Sequence, residues 1–131
     1  MSDELRIGEL FGGAAGGGLF DLPLRPVGDV GDANIVVFGC ATATPYGSVG
    51  AYCADGPDAI RSAVGWPGMG EHFDFDLGGP LLPDGVVAVD WGNLPISDTD
   101  FAANRSLIQS TTEQILRAGA VPVVLGGLVD L

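Results

Sequence analysis

Val121-Pro122-Val123-Val124-Leu125-Gly126-Gly127-Leu128-Val129-Asp130-Leu131 is the stretch from which the fold is read. An unbroken apolar run after the Gly119-Ala120 break, ending in a double glycine, predicts a strand buried on both faces. Ligands of open α/β sheets collect where such strands end, so chemistry is expected just beyond Gly126 and Gly127. The residues there are Leu128, Val129, Asp130 and Leu131.

Immediately upstream lies the longest periodic stretch. Phe101, Arg105, Ile108, Thr112 and Ile115 recur at helical spacing, widened by Ala102, Leu107, Thr111 and Leu116. Ser97 with Asp100 three residues on forms a weakened capping box. Arg117 sits in the last turn, Gly119 provides a left-handed cap, and Pro122 blocks continuation. Val86-Val87-Ala88-Val89 predicts a second buried strand, with Asp90-Trp91-Gly92-Asn93 at its carboxyl end, and Ile35–Phe38 a third, ended by Gly39. Strands alternating with helices predict an α/β fold with a mainly parallel sheet and right-handed crossovers.

Between these strands, Asp55-Gly56-Pro57-Asp58-Ala59-Ile60-Arg61 reads as a helix start. Proline suits the first turn, where its missing N–H is not needed, and Asp58 complements the helix dipole. Ala59, Ile60, Ala63 and Val64 are the expected buried face, with Gly65 and Pro67 ending the helix. Phe73, Phe75 and Leu77 alternate with Asp74 and Asp76, which predicts a half-exposed edge strand. Residues 1–30 have a different texture. Leu10-Phe11 and Leu19-Phe20 bracket a glycine-rich run whose ordering entropy is large and whose side chains return little, so 1–30 is expected to be a flexible arm and 31–131 the folded domain.

Seventeen acidic residues face five basic ones, all arginine, for a net charge of -12 over 131 residues. A phosphate backbone or an anionic membrane surface would be repelled, so neither nucleic acid nor membrane is an expected partner. No run approaches the roughly 20 apolar residues of a membrane span. The start MSDELRIGEL lacks the basic-then-apolar order of a signal peptide, and the expectation is a soluble cytoplasmic chain. Cys40 and Cys53 are too few for a disulfide framework and are expected to be reduced.

Each residue with chemical potential has a plain structural use. Asp74 and Asp76 would share one strand face, more simply a solvated edge than a cation site. His72, the only histidine, reads as a turn residue, since metal sites gather several ligands. Arg61 is expected either to snorkel or to pair with an acidic neighbour. Asp90 reaches the sheet rim if the strands are parallel, and a short acidic side chain there commonly ties down backbone N–H groups.

Three segments together resemble the ureohydrolases, the arginase and agmatinase group. Phe38-Gly39 followed by Asp55–Arg61 is similar to their "Gly-Pro-x-Ala-Ile-Arg" segment. Val89-Asp90-Trp91-Gly92-Asn93 is similar to their "Asp-x-Gly-Asp" turn, with Asn93 at the second aspartate. Ile115–Gly127 resembles the helix and strand leading into "Gly-Gly-Asp-His-Ser". The resemblance is nearest to agmatinase-like members and covers residues 35 to 127, so that 31–131 is expected to be the N-terminal part of such a domain, its sheet incomplete. It implies a three-layer α/β fold and a two-manganese site that hydrolyses a guanidino compound to urea and an amine. Laid on that pattern, Leu128 replaces the aspartate, Val129 the ligating histidine and Asp130 the serine. Hydrophobic side chains cannot coordinate Mn²⁺, so no catalytic, metal or substrate-binding residue is assigned and no cofactor is expected in this chain. The expectation is a truncated or degenerate agmatinase-like ureohydrolase that is inactive alone. The alternatives are a non-catalytic binding or regulatory subunit that assembles with a full-length ureohydrolase, and an unrelated small α/β binding domain. A homo-oligomer or a ureohydrolase-like partner chain is the expected assembly.

Overall fold

A computed structural model describes residues 17–43, 47, 48, 50, 52–64 and 72–126. The glycines from Gly12 to Gly16, the pair Leu10-Phe11, Gly65 and Pro67 after the first helix, and Gly127–Leu131 lie outside the described residues.

Strand β1 (Ile35–Cys40) is the centre of the fold. Its six residues are apolar or small, and all but Ile35 are buried. After it come helix α1 (Gly56–Val64), the two-residue strands β2 (Phe73–Asp74) and β3 (Gly79–Pro80), strand β4 (Ala88–Asn93), helix α2 (Phe101–Arg117) and strand β5 (Val121–Gly126). β4, β1 and β5 form one sheet in that order, parallel throughout. β2 and β3 form a separate antiparallel hairpin.

Each sheet face has its own cover. Val36, Phe38, Cys40, Val89, Trp91 and Leu94 pack with Ile108 and Ile115 of α2. On the other face Val37 and Leu125 pack with Leu19, and half-buried Phe20, Leu22, Val64 and Val123 close around them. α1 and the 3-10 turn Leu19–Asp21 supply that second cover. This is the mainly parallel three-layer α/β arrangement expected from the sequence.

Several local expectations change. Among the described residues β5 lies at the edge of the sheet and only its Leu125 is buried, so the expected two-face burial is not seen there; β1, with neighbours on both sides, takes that role. β4 starts two residues after Val86 and includes Asp90–Asn93, which the sequence placed beyond the strand. On α1 the buried residue is Pro57, while Ala59, Ile60 and Ala63 are exposed. Pro57 meets Gly39 of β1, and Arg61 reaches the buried carboxylate of Asp90 from the same helix. On α2 the buried stripe is Asn104, Ile108, Thr111 and Ile115, a 4-3-4 spacing, and Phe101, Arg105 and Leu116 are exposed. Asn104 wins a core position because its amide closes two hydrogen bonds to the backbone of Ser97.

The helix cap also shifts. Asp100 is the N-cap and accepts from the Ala103 N–H, while Ser97 accepts from the Thr99 and Asp100 N–H groups one turn earlier. Gly119 takes the left-handed cap conformation as expected, at φ 81°. Of the alternating Phe73–Leu77 segment only Phe73 and Asp74 are strand, as β2; from Phe75 on the chain turns, because the Asp74 carboxylate accepts from the Asp76 and Leu77 N–H groups and folds it back.

Residues 17–30, read from the sequence as the end of the arm, lie against β4. The Asp90 N–H donates to the Pro23 carbonyl at 3.0 Å and the Arg25 N–H to the Asp90 carbonyl at 2.9 Å. This strap occupies the outer edge of β4. Its far end is held by Arg25, which donates to Val30 and pairs with Asp32 at 2.7 Å. Among the described residues no helix is long and apolar enough to cross a membrane.

Ile115 is fully buried (0% exposed) one residue from Leu116, which is 57% exposed. Ile115→Ala is therefore expected to lower unfolding free energy by about 2–5 kcal/mol and Leu116→Ala by little, as urea titration of the two variants would measure.

Candidate functional site

The connection from β1 leads first to β4 on one side of it, and the next leads back across to β5 on the other. The order therefore reverses beside β1, and the crevice for a ligand lies at the carboxyl ends of β1 and β5, where Cys40 faces Gly126. Gly126, the first glycine of the pair singled out in the sequence, is thus at the place the topology selects.

Polar side chains gather next to it, on the α1 face of the sheet. β4 carries one extra residue against β1, since Val37 pairs with Asp90 and Gly39 with Asn93. Gly92, at φ 71°, absorbs this bulge. The bulge turns Asn93 over Gly39, where a methyl group would overlap the Asn93 amide and lie 2.9 Å from the Pro57 ring. The glycine of β1, the proline of α1 and the Asp-x-Gly-Asn bulge of β4 are three parts of one contact.

Arg61 reaches into that contact from α1. Its Nε donates to Asp90 Oδ2 at 2.8 Å and its Nη2 to Asp90 Oδ1 at 2.9 Å. Nη1 donates to Asn93 Oδ1 at 2.6 Å and to Asp58 Oδ1 at 3.3 Å. Asn93 returns a hydrogen bond from Nδ2 to Asp58 at 3.0 Å. Asp90 also accepts from the Leu19 N–H on Oδ2 and the Gly92 N–H on Oδ1, both at 2.8 Å. The Asp90 side chain is 0% exposed and that of Arg61 10%. The two-pronged geometry suits the planar guanidinium, and each carboxylate oxygen holds two donors.

Burial by itself raises the Asp90 carboxyl. The Arg61 hydrogen bonds, the Leu19 and Gly92 N–H groups and the guanidinium charge outweigh it and hold the carboxyl below the ordinary aspartate range. It stays an anion and has no lone pair left for a proton or a cation. Cys40, at the end of β1, is buried, which pushes its thiol up to about 11. It is therefore neutral and unreactive at pH 7. The groups at the rim hold the backbone; neither is poised to move a proton.

The chain's other sequence candidates lie elsewhere. His72 is at the hairpin, with Nε2 3.3 Å from Asp21 and its ring edge-on to Phe20. It contributes to a cleft of about 410 Å³ lined by Leu19, Phe20, Ile35, Val37 and Leu82 on the α1 face of the sheet. Asp74 is used up in its turn. Among the described residues no group of three or more His, Cys, Asp or Glu could hold a metal ion. The Asp90–Arg61 pair itself was only half legible: an acidic partner was one of two readings for Arg61 and backbone ties were expected for Asp90, but not that each would be the other's. Their shared appearance in the Gly-Pro-x-Ala-Ile-Arg and Asp-x-Gly-Asp segments was the available signal.

The profile of the Arginase family matches residues 33–127, well over half of the chain. The chain belongs to the arginase family. No curated protein matches it significantly. Both family segments meet in the Arg61–Asp90–Asn93 contact, so within this arginase-family domain they act as a fold-bearing clamp. The donors do not fit the metal pair that the ureohydrolase resemblance implies. Asp90 is saturated by four hydrogen bonds, and the motif position after Gly126-Gly127 offers the hydrocarbon side chains of Leu128 and Val129.

Replacing Arg61 with methionine strands the Asp90 carboxylate in the core and is expected to cost about 3–5 kcal/mol in urea unfolding. Asp58→Asn, at the solvent end of the network, should cost little. Asp90 titrates lower when folded than when unfolded, so its contribution is complete above its unfolded pKa of about 3.9 and fades as pH falls through the folded value. Wild-type stability should accordingly drop on acidification below about pH 4, more steeply than that of Asp90→Asn, in paired melts across that range.

Proposed function

We propose that this chain is an agmatinase-like ureohydrolase domain that does not hydrolyse guanidino compounds by itself. The family reaction is manganese-dependent cleavage of a guanidino group to urea and an amine, in which two divalent ions turn a bridging water into the attacking hydroxide. The observation that carries the reading is Leu128-Val129 directly after Gly126-Gly127, where the family pattern has the aspartate and the ligating imidazole. An isopropyl group supplies no lone pair to Mn²⁺. The saturated Asp90 carboxylate and the neutral Cys40 thiol support it, since neither can substitute as ligand or base.

A second reading makes the chain a non-catalytic subunit that assembles with a full-length ureohydrolase in the cytoplasm. It is favoured by the outer edge of β5, which has no strand beside it among the described residues. Co-expression with a full-length family member separates the readings: a stable complex that alters the partner's turnover supports the second.

Purified protein incubated with Mn²⁺ and then desalted is expected to retain no stoichiometric manganese and to release no urea from agmatine or arginine. Two retained ions, or turnover by the chain unaided, would overturn the proposal. Restoring the family residues with Leu128→Asp and Val129→His should raise Mn²⁺ affinity measurably in a calorimetric titration.

A further inference from the structure

His72 touches the turn Leu19–Asp21 at the two residues whose backbone is least at ease. Phe20, at φ 51° and ψ 37°, and Asp21, at φ 61°, stand in succession in the left-handed region. Aspartate visits that region with its short polar side chain, but for a bulky residue such as phenylalanine it is an outlier. The His72 ring packs edge-on to the Phe20 ring with centroids 5.1 Å apart, and its Nε2 lies 3.3 Å from Asp21 Oδ2. His72 is itself fixed to the β2–β3 hairpin, because its carbonyl accepts from the Leu81 N–H at 2.7 Å.

We propose that His72 is a latch that holds this turn, and through it the strap on β4, and that it holds more firmly when its imidazole is protonated. The turn lies between two anchors on one residue. Upstream, the Leu19 N–H donates to the Asp90 carboxylate; downstream, Pro23 and Arg25 bond the Asp90 backbone. Strained backbone persists only where its surroundings over-determine it, and the hairpin supplies the contact that Asp90 does not. Release of the turn withdraws Leu19 from the core beside Val37 and Leu125. It also takes one of four donors from the Asp90 carboxylate and frees the Asp90 backbone on the outer edge of β4.

The charged groups about His72 are carboxylates. Asp21 faces it from the turn, and Asp84, from the loop after β3, lines the same cleft. Asp74, on the hairpin of His72 itself, is committed to its own turn, and Glu71, the preceding residue, lies outside the described residues. Arg61 and Arg25 are paired with Asp90 and Asp32. An imidazolium thus adds an attraction to Asp21 that the neutral ring lacks, while the contact with Phe20 persists in both states. The side chains of His72 and Asp21 are 22% and 38% exposed, so water screens the pair and the latch shifts the balance by a small factor. Carboxylates stay ionised as histidine titrates near its ordinary value of about 6.5, so the strap is tighter on the acid side of that window and looser above it.

Amide exchange of the full chain, followed by NMR at about pH 5.5 and about pH 7.5 on either side of the ordinary histidine value, tests this. Rates are expressed as protection, so that the intrinsic effect of pH cancels. The Leu22, Arg25 and Asp90 amides donate within the strap or between the strap and β4. They are expected to lose about two- to fivefold in protection at the higher pH, the range for a partly exposed ion pair, with no matching loss at Ile115 in α2. Asp21→Asn keeps a residue that tolerates the left-handed region and an oxygen that accepts a hydrogen bond, but removes the charge; it should abolish the pH step. His72→Gln should leave the strap equally and weakly protected at both pH values. Circular dichroism checks that both variants fold, and the wild-type comparison stands without them. Strap protection that is the same at both pH values in the wild type, a step that Ile115 shares in full, or a step that survives Asp21→Asn would each overturn the proposal. None of these readings depends on catalytic activity.

Discussion

The buried pair of Asp90 and Arg61 is the constraint on which the rest of the molecule turns. It joins the middle of β4 to α1 through two parallel hydrogen bonds, and the same carboxylate holds the N–H groups of Leu19 and Gly92. A helix, a strand, a bulge and the strap are thereby fixed by one anion. An ion pair out of water gains little over well-packed hydrocarbon, because desolvation offsets most of the attraction. Its effect is on geometry: α1 has one orientation in which the guanidinium reaches its fork, and the bulge at Gly92 has one residue whose carboxylate can receive it.

The same saturation decides what this rim can do chemically. A carboxylate becomes a general base or a metal ligand when a lone pair is free and its basicity is matched to the task. Asp90 has neither, since every donor that stabilises it also lowers its proton affinity. Cys40 stands at the switch point with its thiol neutral at physiological pH. The arginase-family segments around these residues hold α1 and the β4 bulge against β1. The ligand-bearing part of the pattern begins after Gly126-Gly127, and there the sequence departs from it.

The two cores explain why a chain with so many glycines still closes on itself. Ile115 and Ile108 cover one face of β1, and Leu19 with Val37 and Leu125 starts the cover of the other. The second cover is thinner, and a cleft of about 410 Å³ remains beside it. Gly39 shows the reverse use of a missing side chain, for it lets the Asn93 amide and the Pro57 ring approach β1 closely enough to complete the clamp.

Local chemistry alone determined the elements that depend on short-range rules: the β1 core strand, the proline-led start of α1, the long α2 with its Gly119 cap, and the parallel α/β class. The family segments were legible too, as residue strings at their spacing. What only the tertiary structure decided was which neighbour each element found. Val121–Gly126 and Ile35–Cys40 are similar apolar runs, yet among the described residues one lies at the edge and the other at the centre, and burial of a strand depends on how many strands flank it. The Phe73–Leu77 alternation satisfies a strand pattern, but it stays a strand only at Phe73 and Asp74, because the Asp74 carboxylate captures two backbone N–H groups and turns the chain. Arg61 and Asp90 lie 29 residues apart, and no periodicity in the chain connects them. Their meeting requires β1 and β4 to be paired, so that α1 lies over the bulge and the guanidinium is within reach of its carboxylate.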